Sequence, residues 1–591
     1  MPTEVESWKE EVYGEEVRDH LEQFAKEGWD AIPEDEHDAW FERFKWWGLY
    51  HQRKGQESYF MLRIGVPMGR LTPLQLREVG EIAQEFATGP VENPEFPGGY
   101  VDFTTRQSIQ LHWISIEDVP EVFDRVESVG LSTIQACGDS WRNIVGSPLA
   151  GRDADEHIDV WPLVQELNDD FKGNPAHENL PRKWKVSVTG DTRGAGQGDI
   201  NDLAFEPAVT DRDGEQVKGF NIRVGGGLAR KEPRLARDID VFVTPERLTD
   251  VAAGISALFR DHGDRDDRFN ARFKFLVDDW GTEKVRRVLQ EEYIDYELPP
   301  AGEDLREQYD YNAGRTDRPG DYVGVFDQHD DQHYVGLSVL TGRVNAESVV
   351  ELADVAERYG SELIGVTQRQ NLVVADIADE DLDAFLDEPL LDTYSPNPHP
   401  FEQGSIACTG TEFCSLSIVE TKNRMVRYAE WLQENVPVPD GLPEFHIHLS
   451  GCTASCAQPQ IADLSLRGMK TRKDGEPVEA FDIGLGGGLG EEPTFADWIE
   501  MRVPADEVPG YIQNLLAAFD DAGADGESFR EFVAARSEDE LQALADPEET
   551  DYEDPYMHNT KMTWYPYAAD DAMEATPAPT DAEGQPLGSG D

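Results

Sequence analysis

The sequence predicts an internally duplicated α+β fold, and three observations predict it. A strand, a Gly-Arg turn, a helix and a second strand closing on an Arg-Gln pair occur in residues 59–107 and return in residues 334–370. A second block, Leu180-Pro-Arg-Lys-Trp-Lys185 leading to Phe220-Asn-Ile-Arg-Val-Gly-Gly-Gly-Leu228, is answered by Leu442-Pro-Glu-Phe-His-Ile-His448 and Phe481-Asp-Ile-Gly-Leu-Gly-Gly-Gly-Leu489. One Gly triplet is usually a turn, but two in matched context indicate α+β modules related by pseudo-symmetry. Four of the five cysteines fall in the second copy alone, so the halves have diverged in chemistry.

Taken in order, residues 1–58 are charged and aromatic at helical spacing (Trp40, Phe41, Phe44, Trp47) and are expected to form an amphipathic helical arm packed on the body. Residues 59–130 form a first half-domain. In it Tyr59-Phe-Met-Leu-Arg-Ile-Gly-Val66 is a strand, Gly69-Arg70 a turn, and residues 72–86 a helix opened by Thr72 and an N1 proline. A strand over 100–113 and a helix over 119–129 complete it. A module at 131–297 carries the first Gly triplet, then a strand (Val241-Phe-Val243) and a helix over 245–262. Residues 298–320, a mixture of Pro, Gly, Asp and Arg, are the expected linker. The second half-domain is 321–395, with the turn at Gly342-Arg343, a helix over 345–359 and a strand over 363–372. The second module is 396–560, with a strand at Ile499-Glu-Met-Arg-Val503 and a helix over 505–522. Residues 561–591 are expected to be an acidic, disordered tail.

The cysteines read Cys408-Thr-Gly-Thr-Glu-Phe-Cys414 and Gly451-Cys452-Thr-Ala-Ser-Cys456, a C-x5-C and a C-x3-C pair. Zinc sites favour two to four residues between paired ligands, whereas iron–sulfur clusters need four thiolates converging from turns. Disulfides need an oxidising compartment, and Met1-Pro-Thr-Glu-Val-Glu6 has neither a basic nor an apolar leader segment. The spacing favours a 4Fe-4S cluster, with zinc and unliganded buried cysteines as the alternatives.

The 591 residues carry 52 Lys+Arg against 119 Asp+Glu, a formal charge of −67. Such a surface is a poor partner for nucleic acid or an anionic membrane. With 39% hydrophobic residues, 13 Trp and 26 Phe, the chain has enough for large cores. A folded, acid-coated halophilic protein fits, because at about 1 M salt the Debye length is roughly 3 Å and self-repulsion is screened. No apolar run is long enough to span a bilayer, so a cytoplasmic protein is expected.

Against that background the basic residues of the first half stand out: Arg106, Arg142, Arg182, Lys183 and Lys185, with Arg223, Arg230, Lys231 and Arg234 nearby. A strand period of two puts Lys183 and Lys185 on one face. Two ammoniums on one face point to an anion or polycarboxylate site rather than solvated surface charge.

These motifs, together with Lys45-Trp-Trp-Gly-Leu-Tyr-His-Gln-Arg53, Thr104-Thr-Arg-Gln-Ser-Ile-Gln110 and Arg142-Asn-Ile-Val-Gly-Ser-Pro-Leu-Ala-Gly151, resemble the sirohaem-containing nitrite and sulfite reductases over nearly the whole chain. The resemblance implies ferredoxin-like half-domains and two α/β modules that clasp one sirohaem and one 4Fe-4S cluster. It implies that Cys408, Cys414, Cys452 and Cys456 bind the cluster and that Cys456 also bridges to the haem iron. Arg106, Arg142, Lys183 and Lys185 match the family's anion-binding positions. Arg182 and Asn143, then Gln110, His112 and Arg223, would hold the sirohaem carboxylates; Cys137 would be a small buried residue near the haem.

Cys-Thr-Gly-x-x-Phe-Cys, Asp199-Ile-Asn-Asp-Leu-Ala204 and Cys456-Ala-Gln-Pro-Gln-Ile-Ala-Asp463 look more like ferredoxin-dependent nitrite reductases. Lys185 points the other way, because it stands where plant-type nitrite reductases usually have asparagine and sulfite reductases have lysine. The expected reaction is reduction of nitrite to ammonium in nitrate assimilation, with sulfite reduction as the alternative. No Rossmann fingerprint or flavin module is evident, so ferredoxin is the expected donor. A monomer is expected. A cluster-bearing electron carrier or sensor is the non-enzymatic rival, but it gives the basic pairs no purpose.

Overall fold

The computed structural model describes residues 3–558, apart from 54, 55, 57, 91, 192, 213, 230, 231, 307–320, 440, 441, 443, 491, 523–527 and 546–550. Four five-stranded sheets form two related pairs. The first runs Leu49–His51, Tyr59–Ile64, Ile109–Ser115, Tyr100–Phe103, Arg343–Asn345, and its counterpart runs Gly324–Asp327, Gln332–Leu337, Leu372–Ala378, Ile364–Val366, Arg70–Leu71. Each of these sheets therefore ends in a strand contributed by the other copy.

That exchange corrects the two Gly-Arg turns. Arg343 pairs with Asp102, and Arg70 pairs with Gly365, both antiparallel. Left-handed residues, Met68 and Gly69 (φ 51° and 71°) and Thr341 and Gly342 (φ 61° and 71°), bend the chain into the neighbouring sheet. A side chain at Gly69 would strike the Val366 carbonyl and one at Gly342 the Phe103 carbonyl, so the close approach as well as the backbone requires glycine.

The helices Pro73–Phe86 and Ala346–Arg358 pack on these two sheets and against each other. The first opens with a full capping box between Thr72 and Gln75. Their apolar faces fill one core shared by both half-domains, and Phe44, Trp46 and Trp47 from the N-terminal region are buried in it. The helices Glu16–Glu27 and His37–Phe44 are part of that packing, and Glu4–Glu11 lies against His37–Phe44.

The long strands expected over 100–113 and 363–372 are each a hairpin instead: Tyr100–Phe103 with Ile109–Ser115, and Ile364–Val366 with Leu372–Ala378. In the first turn the Thr104 hydroxyl accepts from the amides of Arg106 (3.3 Å) and Ser108 (3.1 Å). In the second, Thr367 does the same for Arg369 and Asn371, both at 3.2 Å. Local side-chain-to-backbone bonds of this kind end a strand where polar residues run together.

The other sheet pair builds the modules. One is Glu303–Asp304, Leu203–Arg212, Glu215–Val224, Arg237–Val243, with Val186–Val188 parallel to Leu203–Arg212. The other is Ser405–Ala407, Ile447–Ser450, Leu464–Lys473, Glu476–Leu485, Asp497–Pro504. Each has its own apolar core against a long helix, Leu248–His262 or Val508–Ala522. The expected linker carries an edge strand, Glu303–Asp304; its residues 307–320 and the expected tail lie outside the described residues.

The second module is tied at its end by Arg424, fully buried, which donates to Glu479 (2.7 Å) and Asp554 (2.7 Å). Arg424→Met leaves two buried carboxylates without their cation and should destabilise the protein by about 3–5 kcal/mol. Urea unfolding checks this; an unchanged midpoint would show the ion pairs to be dispensable.

Candidate active site

The four thiols come from turns that follow short buried strands. Cys408 leaves Ser405–Ala407, its amide bonds to the Leu449 carbonyl (3.2 Å) and its sulfur accepts from Gly451 N (3.2 Å). A left-handed Gly410 (φ 72°) turns the chain so that Cys414 N reaches the Gly410 carbonyl at 3.0 Å. Cys452 and Cys456 follow Ile447–Ser450, and the Cys452 sulfur accepts from Ala454 N at 3.5 Å. Burial, then the neighbouring Cys456, pushes the Cys408 thiol up, and the same causes push Cys414 up to about 11. Four sulfurs that feel one another, three of them already receiving N–H donors, form a set that metal binding would neutralise. Among the described residues no group of His, Cys, Asp or Glu is arranged to hold a single metal ion.

Beside the thiols lies a surface of cations. The Thr105 hydroxyl donates to the Cys456 carbonyl at 3.1 Å, bringing the Arg106 turn onto the cysteine loop. Arg106 donates to Asn201 Oδ1 and to the Asn143 carbonyl, both at 2.8 Å, and its Nε is buried without a partner. Arg142 is braced by the Ala136 carbonyl (3.1 Å) and the Gly138 carbonyl (2.9 Å). Asn143 donates to the Val66 and Arg106 carbonyls at 2.6 and 2.9 Å. The segment around Trp184 is extended, with Trp184 buried, so Lys183 and Lys185 do share the opposite face. Their ammoniums have no hydrogen-bond or ion-pair partner among the described residues.

The electrostatics follow from that crowding. Burial and then Arg142 pull the Arg106 guanidinium down to about 9. Burial, Arg272, Arg182 and Arg142 hold Lys183 well below its ordinary value, with Cys456 opposing them. Burial, Arg106 and Lys183 do the same to Lys185. Asp202, fully buried, is occupied by Arg272 (2.9 Å) and by Lys185 N (2.9 Å). A cation set of this density attracts anions, and its chemistry fits a polycarboxylate cofactor and an anionic substrate.

The pseudo-symmetric position shows the contrast. Leu203 N bonds to the Lys185 carbonyl as Leu464 N bonds to that of His446, and Asp202 and Asp463 cap the two strands alike. There, however, Arg369 pairs with Glu444 (2.9 Å), and His446 lies between Glu444 (3.0 Å) and Asp463 (3.1 Å). One half neutralises itself while the other does not.

Not every expected residue joins this surface. His112 is buried: its Nε2 meets Asp102 at 3.1 Å and its ring stacks on Phe413 at 3.9 Å, while its Nδ1 has no hydrogen-bond partner among the described residues. Gln110 is buried and accepts from Thr409 (3.4 Å). Arg182 pairs with Asp139 (3.0 Å) and Arg223 with Asp199. Burial alone would raise the Asp139 carboxyl, but Lys9, Arg182 and Arg268 hold it far below the usual range. Arg234 is tied to Asp278 at the exterior, and Arg230 and Lys231 lie outside the described residues. Cys137 is buried, its sulfur 3.3 Å from Arg63 Nη1.

Sequence reasoning missed Arg63 and Arg272. Arg63 interacts electrostatically with both Cys137 and Cys456. A lone arginine inside the apolar strand Tyr59–Ile64 was the available signal for it. For Arg272, in the turn before Phe273–Trp280, there was none.

Two family models match. One, described as the nitrite and sulphite reductase 4Fe-4S domain, matches residues 137–297 and 404–550. The other, the nitrite/sulfite reductase ferredoxin-like half domain, matches residues 51–129 and 326–391. The chain belongs to the nitrite and sulfite reductase family. It is 52% identical to the assimilatory ferredoxin-dependent nitrite reductase of Haloferax mediterranei over 98% of this chain and 99% of that protein. It is 34% identical to a ferredoxin sulfite reductase of Mycolicibacterium paratuberculosis, over 88% and 92% respectively. The structure of the Mycobacterium tuberculosis NirA protein matches with a TM-score of 0.81 at 33% identity, covering 92% of this chain and 98% of that one. The duplicated α+β fold with ferredoxin-like half-domains is thereby established, and the family's cofactors are a 4Fe-4S cluster and sirohaem. Family membership sets aside the zinc module and the simple electron carrier.

Proposed function

We propose that this chain is an assimilatory ferredoxin-dependent nitrite reductase, converting nitrite, six electrons and eight protons into ammonium and two waters. The observation that carries it is the unpaired cation set, Arg106, Arg142, Lys183 and Lys185, next to the Cys456 loop. The 52% identity to a haloarchaeal enzyme of that name, and an acidic chain of formal charge −67, support work in molar salt.

Cys408, Cys414, Cys452 and Cys456 would hold the cluster, with Cys456 shared with the haem. Asn143, Arg182, Arg223 and Gln110 would hold sirohaem carboxylates. When bound, the two groups supply one-electron storage and an iron at which the anion is reduced. The protein supplies charge and protons. Arginine is a fixed clamp, since guanidinium keeps its proton, whereas the two lysines, already pulled down, are suited to give one up. Electrons come from ferredoxin, and the enzyme acts as a cytoplasmic monomer. Among the described residues no helix is long and apolar enough to cross a membrane.

The sign of the pH dependence follows. An anion beside Lys183 and Lys185 raises their depressed pKa values, so binding takes up protons. The KM for nitrite should therefore climb as pH rises above the depressed lysine pKa values of the free enzyme and level off above those of the complex, and climb less in Lys183→Gln. Identical pH profiles for the variant and the parent would remove Lys183 from the anion site.

Sulfite reduction is the second reading, favoured by Lys185. Anaerobic turnover of the cofactor-loaded protein with a reduced viologen in high salt separates the two. A nitrite preference in kcat/KM with stoichiometric ammonium supports nitrite reduction; dominant turnover of sulfite to sulfide overturns it.

A further inference from the structure

The residues between the first two thiols are gripped from outside their own module. Glu412 is 1% exposed, and its carboxylate accepts from Arg343 Nη1 (2.7 Å), Asn93 Nδ2 (3.1 Å) and the Tyr100 hydroxyl. Arg343 lies on the exchanged strand Arg343–Asn345 and turns the other edge of its guanidinium to Asp102, at 2.6 and 2.9 Å, with the Tyr100 ring 4.0 Å from its Cζ. Asp102 also meets His112, and the His112 ring stacks on Phe413 with 8° between the planes. Trp113 closes edge-on against Phe413 at 5.2 Å, and Arg53 donates to the Thr411 carbonyl. Lys422 Nζ stands 3.9 Å from Asp102, so two buried cations face two carboxylates.

A buried network of this kind adds little stability over an apolar core of equal shape, yet it admits only one arrangement of its members. Its members here come from three places that function must keep in register. Glu412 and Phe413 belong to the Cys408–Cys414 loop. Asp102 and His112 belong to the hairpin whose turn presents Arg106. Arg343 comes from the other half-domain.

We propose that Arg343 is a positioning residue: through Glu412 it sets the loop that carries Cys408 and Cys414, and through Asp102 it locks that loop to the hairpin bearing Arg106. The 4Fe-4S cluster and the anion site are then placed relative to each other by one buried guanidinium. The proposal rests on the cluster assignment above, which the iron and sulfide content of the wild-type protein tests separately.

The experiment uses the cofactor-loaded enzyme with Glu412→Gln, Arg343→Lys and Tyr100→Phe. The EPR spectrum of the reduced cluster, iron release to a chelator, the KM for nitrite and the melting temperature are read together. Glu412→Gln and Arg343→Lys should shift the EPR signal, release iron roughly tenfold faster, as for loss of one hydrogen bond to a charged group, and raise KM. Tyr100→Phe, which strands no charge and keeps the ring under Arg343, should move the same readouts in the same direction by less. If Arg343→Lys does not fold, Tyr100→Phe decides. A wild-type EPR signal and iron-release rate in the variants, with only the melting temperature lowered, would overturn the proposal.

Discussion

Cys456→Ser is expected to lose iron, labile sulfide and the haem's coupled spectrum together, with turnover reduced by more than about 100-fold, the upper range for disturbing even the outer partners of a metal ligand. Of the four thiols, Cys456 is the exposed one, while the other three are partly enclosed. It also enters the electrostatic surroundings of Arg63 and Lys183 on the cation surface, as well as those of Cys408 and Cys414. Its carbonyl receives Thr105 from the turn that presents Arg106. A serine keeps the size but holds its proton, so it cannot act as the thiolate ligand. Cys137→Ser is the control, since that sulfur is buried against Arg63 in the first half. A normal haem spectrum and full activity in Cys456→Ser would remove this residue from the shared position between cluster and haem.

Lys185→Asn is expected to raise the nitrite-over-sulfite ratio of kcat/KM by about tenfold, since losing one nearby unit charge at an effective dielectric of about 20 is worth on the order of 1–4 kcal/mol. Lys185 sits beside Arg106, Lys183 and Arg272, with Asp202 already engaged by Arg272. Fully ionised sulfite carries one more charge than nitrite and depends more on that density. The backbone should tolerate the change, because Lys185 N keeps its bond to Asp202 and its carbonyl keeps Leu203 N. Parallel kinetics on the two anions check it. An unchanged ratio would show that discrimination lies elsewhere on the cation surface.

Much of this was legible before any coordinates, for reasons of range. The Thr72 cap, the alternation that sets Lys183 and Lys185 opposite the buried Trp184, and the spacing of the thiols are set within a few residues. The duplication was visible because equivalent turns need equivalent residues, as with Gly69 and Gly342 or Thr104 and Thr367. The stacking of His112 on Phe413 is not legible, because its neighbours in sequence say nothing of a ring some three hundred positions away. The strands that begin at Arg70 and Arg343 are hidden from the sequence, because a two- or three-residue strand has no period to read.

By itself, then, the sequence determined the duplicated α+β plan, the thiol quartet and the concentration of basic residues in one half, since each is a matter of local pattern or composition. Only the tertiary structure decided that the half-domains exchange strands, that Arg63 and Arg272 join the cation surface, and that Arg369, Glu444 and His446 cancel one another at the matching position. The physical reason is that a charge acquires its meaning from what it is buried against. Arg343 meets Asp102 and Glu412 across 241 and 69 positions of chain, and only the packing of the two halves brings them within hydrogen-bonding distance.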